Sequence, residues 1–267
     1  MHFIARQDES QEEAAGYAQV ETSGSTASAE LAVDPDHRRR GIGSGLVDSI
    51  TAALGPEVTR LLVWAHGDLA SASSFAESLG FTRDRVLYQL SRSLDGFEWP
   101  QAWPEGAPES WPTGGGAAVR LPEGAALRAF QPGRDDEEWL RVNAAAFADH
   151  PEQGRWSAED LADRLAEPWF DPEGLLVAVD SAGMLGFHWT KIEDGIGEIY
   201  VLGVDPRAQG TGLGKALTLA GLAHMAARGI RQVDLYTDES NGRAVRLYRS
   251  QGFDIARSDV QWARSLA

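Results

Sequence analysis

The sequence predicts an α/β protein made of two copies of one module, and three observations carry that prediction. First, Glu198–Leu217 runs from an apolar, β-branched strand through Asp205-Pro206 into a glycine-rich turn that opens a helix. Second, the same signature occurs 171 residues earlier. Leu31-Ala32-Val33-Asp34-Pro35 is followed by Arg38-Arg39-Arg40-Gly41-Ile42-Gly43, just as Leu202-Gly203-Val204-Asp205-Pro206 is followed by Gln209-Gly210-Thr211-Gly212-Leu213-Gly214-Lys215. A second marker, Leu79-Gly80-Phe81, returns as Gln251-Gly252-Phe253 at an offset of 172. An offset held this long implies a repeated module. Third, the composition changes between the copies. Pro100, Pro104, Pro108, Pro112 and Pro122, with Gly114-Gly115-Gly116, forbid long helices and central strands. The expected boundaries are therefore a first module over 1–93, a linker over 94–126 and a second module over 127–267.

In the first module, strands are expected at His2–Ala5, Gly16–Val20, Ala27–Val33 and Arg60–Ala65. Helices are expected at Ile42–Leu54 and Ser71–Leu79, and a closing strand pair over Phe81–Leu90. Trp99, Trp103 and Trp111 should pin the linker to a module surface. The second module predicts helices at Asp135–Phe147 and Ser157–Leu165, the latter capped by Ser157 with Asp160. Strands follow at Leu175–Val179, Leu185–Ile192 and Glu198–Val204. After the glycine loop come a helix to Arg228, a strand at Gln232–Thr237, a helix at Asn241–Ser250 and a closing pair over Phe253–Trp262. This module has 47 residues, Leu127–Glu173, ahead of its Gly174–Val179 strand. The first copy has almost nothing there, so one strand and two helices are expected to be missing from it.

Composition narrows the functions. With 24 basic and 40 acidic side chains the formal charge is −16, which argues against nucleic acid or an anionic membrane as partner. The absence of cysteine excludes disulfides and thiolate catalysis, and no metal is expected. No stretch reads as a signal peptide or approaches 18 apolar residues, so a cytoplasmic, soluble monomer is expected.

Backbone N–H groups of the glycine turn, together with the first N–H groups of the following helix, suit a phosphate. The spacing Q-x-x-G-x-G is neither a dinucleotide fingerprint nor a P-loop. It resembles the acetyl-CoA pyrophosphate loop of the GNAT N-acetyltransferase superfamily. The run Asn241-Gly242-Arg243-Ala244-Val245-Arg246-Leu247-Tyr248, closed by Gly252-Phe253, resembles another hallmark of that superfamily. The resemblance implies mixed, mostly antiparallel sheets flanked by helices, with acetyl-CoA as donor. It implies Glu198 as the base that takes the amine proton and Tyr248 as the acid facing the leaving sulfur. Strand alternation should put Glu198, Tyr200 and Leu202 on one face. At the equivalent positions the first copy has Ala27, Ala76 and Leu69, the last standing for Asn241. Those side chains can neither exchange a proton nor accept a hydrogen bond, so the first copy is expected not to catalyse. Glu30 and His66 are read there as surface or domain-contact residues.

A narrower resemblance rests on Arg141-Val142-Asn143, His150-Pro151-Glu152-Gln153, Trp169-Phe170-Asp171-Pro172 and Gly186-Phe187-His188-Trp189-Thr190-Lys191. With Trp64-Ala65-His66-Gly67 in the first copy, these runs resemble the mycothiol synthase family of tandem N-acetyltransferases over nearly the whole chain. That resemblance implies acetylation of the cysteinyl amine of Cys-GlcN-Ins. Leu202–Val204, Gln209–Lys215 and Asn241–Arg246 would hold one acetyl-CoA, and Leu31–Val33 with Arg38–Gly43 a second. Glu152, Lys191, Glu198 and Tyr236 would contact the substrate. The motif core alone also admits an acetyltransferase for a peptide N-terminus or an aminoglycoside, or a non-catalytic acetyl-CoA-binding module.

Overall fold

A computed structural model describes residues 1–6, 13–104, 106–148 and 153–266. In chain order it forms β1 (His2–Ala5), β2 (Gly16–Ser23), β3 (Thr26–Val33), α1 (Ile42–Ala53), β4 (Arg60–Ala65), α2 (Ala70–Ser78) and β5 (Thr82–Ser93). There follow β6 (Ala126–Ala129), α3 (Asp136–Ala146), α4 (Ala158–Leu165), β7 (Leu175–Asp180), β8 (Gly183–Glu193) and β9 (Ile196–Val204). The chain ends with α5 (Leu213–Ala227), β10 (Gln232–Asp238), α6 (Gly242–Ser250) and β11 (Asp254–Ser265).

Two compact units result. The first gathers Met1–Gln89, Thr237–Asn241 and Ile255–Ala267; the second gathers Leu90–Tyr236 and Gly242–Asp254. This division differs from the expected boundaries. Residues 90–126 fall within the second unit, and 237–241 and 255–267 fall within the first. The two expected closing strand pairs are each one long strand, β5 and β11. Neither 82–93 nor 254–265 contains the Gly, Pro or Asn that a tight hairpin turn would need.

In the first unit, β1 and β2 pair antiparallel, and β2 pairs with β3 in unbroken register from Gly16↔Val33 to Ser23↔Thr26. β3 pairs parallel with β4, and β4 antiparallel with β11, from Ala65↔Val260 to Arg60↔Ser265. Alternating small residues of β3, Ala27 and Ala29, pack under Leu46, Val47 and Ile50 of α1. Val260 and Trp262 from the last strand complete that core. Among the described residues, this unit has no counterpart of β6, α3 and α4.

In the second unit, β6 to β9 form an antiparallel run and β9 pairs parallel with β10. Both faces of this sheet are covered. Leu213, Leu217 and Ala220 of α5 pack on Leu176, Ala178 and Leu185, joined by Trp111 of the proline-rich segment. Trp111 is 4% exposed and meets Trp103 edge-on, so the tryptophans pin this segment as a piece of core. On the other face Trp139 and Val142 of α3 and Leu161 of α4 pack on Val177, Phe187 and Trp189. Double coverage explains why β8 is buried continuously from Met184 to Thr190 instead of alternating. The Ser157–Asp160 capping box at the start of α4 forms as expected.

Candidate active site

The glycine loop begins where β9 ends. Asp205 caps the turn by accepting from the Arg207 N–H at 3.0 Å and is held by Arg141 at 2.7 Å. Gly210 and Gly212 lie at φ 81° and 90°, where a side chain is strained. A Cβ on either would meet nothing within 4 Å, so the outer surface of the loop is open backbone. Gly212 caps α5 without a side chain, leaving the first helical N–H groups for a ligand. Gln209 ties the loop to the end of β9 through Val204 O at 3.3 Å, and its side-chain oxygen accepts from Arg243 at the start of α6. Gly214 faces Leu247 of α6, whose Cδ2 lies 3.4 Å from the place a Cβ would take. The loop, the α5 N-terminus and 242–246 are thus brought together within the second unit. Asn241 immediately precedes them, in the segment assigned to the first unit.

Tyr248 lies on α6, 7% exposed and edge-on to Phe253 at 5.7 Å. Burial raises its phenol above the ordinary value, so the group stays an O–H donor throughout the neutral range.

Glu198 sits near the start of β9, half-buried. Its neighbour across β8 is Lys191 and across β10 is Asp234. Desolvation raises the Glu198 pKa, with Asp234 and Glu193 adding to the rise and Lys191 opposing it. Lys191 Nζ pairs with Glu193 at 2.9 Å and lies 5.3 Å above the Trp169 ring. Tyr236, at the end of β10's stretch in this unit, is 51% exposed. Glu152 lies outside the described residues.

One expectation fails. Glu198, Tyr200 and Leu202 do not share a face. The β8–β9 register slips: Trp189 pairs with Val201 but Thr190 with Ile199, so Tyr200 has no residue opposite it. This bulge reverses the alternation. Before it, a Cβ on Gly197 would meet Met225 of α5; after it, a Cβ on Gly203 would meet Phe187, with Ala146 of α3 next nearest. Leu202 and Val204 therefore join the α5 core, while Tyr200 turns to Trp169 and Trp189 on the other face. The parallel ladder to β10 also ends at Ile199↔Leu235. No spacing rule in β9 marks the bulge, because it is set by pairing with β8.

The first unit repeats the loop but not the site. Gly41 caps α1 at φ 82°, and Arg38 Nε donates to Val33 O at 3.2 Å, as Gln209 does to Val204. Arg39 occupies the left-handed position of Gly210, at φ 61°. Ala27 and Ala76 are buried, and Leu69 is exposed. Leu31 and Val33 pack into the core, and Ala32 between them is exposed. Glu30 and His66 are both more than half exposed, 3.6 Å apart, and His66 also meets Asp259 at 3.2 Å.

Comparisons with known proteins agree with this duplication. Residues 139–253 match the model "Acetyltransferase (GNAT) family" and residues 1–83 the model "Acetyltransferase (GNAT) domain". A tandem GNAT protein of the clavulanic acid biosynthesis pathway superposes with a TM-score of 0.68 at 20% identity, covering 99% of this chain and 82% of that one, which supports the fold. A GCN5-related N-acetyltransferase from Sphaerobacter thermophilus gives a TM-score of 0.73 at 26% identity over 95% of this chain and 77% of its own. A mycothiol acetyltransferase of Frankia alni is 50% identical over 259 residues, 92% of this chain and 73% of that protein. One from Thermomonospora curvata is 49% identical over 252 residues, 93% of this chain and 78% of that protein. Half the residues shared over nine-tenths of the chain, on a duplicated GNAT architecture, show that the chain belongs to the mycothiol acetyltransferase family.

Proposed function

We propose that this chain transfers the acetyl group of acetyl-CoA to the cysteinyl amine of Cys-GlcN-Ins, giving mycothiol and CoA, and that the second unit does the chemistry. The observation that carries this reading is Glu198. It is a carboxylate with a raised pKa, next to a strand bulge and on the strand that leads into an open glycine loop.

The residues divide the work. Backbone N–H groups of 209–215 and the start of α5 hold the cofactor's pyrophosphate. Tyr200, unpaired at the bulge, offers a backbone donor where a carbonyl oxygen gains negative charge. Glu198 accepts the proton of the attacking amine. An α-ammonium has a pKa of roughly 7.7–8.0, so at pH 7 most of it must first lose a proton. A base with a raised pKa is matched to that task. The new C–N bond forms as the C–S bond breaks, and Tyr248 donates its O–H to the departing sulfur. A phenol with a raised pKa gives up its proton poorly, so its part is to hydrogen-bond the thiolate while solvent supplies the proton. Lys191 and Tyr236 border the acceptor, and Glu152 joins them by the family's motif. Loss of the first unit's carboxylate, tyrosine and asparagine leaves its loop a binding element at most. The protein works in the cytoplasm as a monomer, without a metal.

Mass spectrometry of the product from acetyl-CoA and Cys-GlcN-Ins tests the reading, with a peptide N-terminus and an aminoglycoside as competing acceptors. N-acetylation of the cysteinyl amine, faster than of either competitor, is expected. Preference for a competitor would assign the chain another acceptor, and no turnover with any would leave a binding module.

A further inference from the structure

Glu198 has a partner that the motifs do not mark. Asp234 stands directly opposite it on β10. The two side chains share a face. Their preceding neighbours, Gly197 and Val233, meet on the other side, where a Cβ on Gly197 would lie 3.4 Å from Val233 Cγ2. Asp234 is 9% exposed and fixed in place. Its Oδ1 accepts from Ser91 Oγ at 2.6 Å and from Gln232 Nε2 at 3.2 Å. Glu198 accepts no hydrogen bond among the described residues.

We propose that Asp234 is a positioning residue that works through Glu198, strengthening it as a proton acceptor. The inference rests on the reading of Glu198 as the base. Two carboxylates side by side do not both ionise freely, and hydrogen-bond donors favour the ionised form of the one they reach. Ser91 and Gln232 reach Asp234, and the proton affinity that rises beside it is that of Glu198. A pair of carboxylates in unlike environments is a recurrent way of separating the roles of two acids. The other groups facing Glu198 are Lys191 and Glu193 from β8 and Tyr200 from its own strand. Lys191 pulls the other way, and its own ion pair with Glu193 moderates that pull. Asp234 is the one carboxylate that faces Glu198 from β10. The pair also presents net negative charge to an acceptor that arrives as an ammonium.

The test is the pH profile of kcat/KM for the wild type, Asp234→Asn, Asp234→Glu, Ser91→Ala and Glu198→Gln. Asp234→Asn keeps the shape and an acceptor for Ser91 but removes the charge. Its acid limb should move to lower pH by about half a unit or more, with kcat falling roughly three- to tenfold as the base weakens. The KM for acetyl-CoA should stay within about twofold. Asp234→Glu should restore most of the limb, which a merely structural role would not do. Ser91→Ala should move it in the same direction by less, and its profile decides the matter should Asp234→Asn fail to fold. If Glu198→Gln is crippled while the profiles of Asp234→Asn and Ser91→Ala superimpose on the wild type, the proposal alone is overturned. Wild-type rates in Glu198→Gln would overturn the reading of the base, and the proposal with it.

Discussion

β3 and β9 are copies of one strand, yet β9 carries Glu198 where β3 carries Ala27. Each ends in Val-Asp-Pro, each leads to a capping glycine in the left-handed region, and each pairs parallel with the next strand. They differ in one residue of register. β3 pairs with β2 without interruption, so Ala27, Ala29, Leu31 and Val33 all point into the core under α1. β9 carries a bulge at Tyr200, so Glu198 and Tyr200 face away from α5 while Leu202 and Val204 still pack beneath it. The comparison teaches that the glycine loop is the part of this module that both copies keep. The carboxylate stands on the strand that is bulged, at a position where the unbulged copy has a buried alanine.

The largest effect should come from trying to equalise the copies. Ala27→Glu puts a carboxylate at the position equivalent to Glu198, but Ala27 is 0% exposed and surrounded by aliphatic carbon. Loss of stability on the order of 4 kcal/mol is expected, with no gain in turnover. Urea denaturation and an acetylation assay would show it. A stable, more active variant would break the comparison.

Acid should separate the units next. The second unit buries His188 and His224, whose pKa values are pushed down to about 3 and about 4, mainly by desolvation. The first unit has Ala18 in the register position of His188. Both histidines stay neutral when folded but bind a proton below about pH 6.5 when unfolded. Their contribution is therefore intact above that pH and is lost as pH falls from 6.5 toward 4, on the order of a few kcal/mol. Glu198, with its raised pKa, offsets this in part. Urea midpoints at pH 7 and pH 4.5 would check the sign, and His188→Asn should flatten the dependence.

Helix glycines give smaller, opposite effects. A Cβ on Gly221 would lie 2.1 Å from His188 Nε2, so Gly221→Ala should cost about 1–3 kcal/mol. A Cβ on Gly45 of α1 would meet nothing within 4 Å, so Gly45→Ala should stabilise by about 0.5–1 kcal/mol. Thermal melts of the two variants should shift in opposite directions.

Much of this was legible in the sequence because it is local. Glycine spacing, Val-Asp-Pro and the 171-residue offset marked the loops, the duplication and the element order. What stayed hidden depends on partners distant in the chain. The bulge at Tyr200 is a property of the β8 register. The place of β11 in the first unit depends on its pairing with β4, from Ala65↔Val260 to Arg60↔Ser265, far apart in the chain. Asp234 sits in an ordinary strand, and no spacing separates a carboxylate that faces Glu198 from one that faces water. The proline-rich segment read correctly as a helix breaker, but its apolar content, Trp111 above all, makes it core.

Glu198 in the second unit is proposed to take the amine proton. The most direct measurement is the rate of acetylation of Cys-GlcN-Ins by Glu198→Gln across pH 6 to 9, alongside acetyl-CoA binding by calorimetry. A rate on the order of 10²–10⁴-fold below wild type at pH 7 is expected, recovering as pH rises and the free amine accumulates, with acetyl-CoA affinity unchanged. A rate indistinguishable from wild type across that range, in a variant that still binds acetyl-CoA, would contradict it.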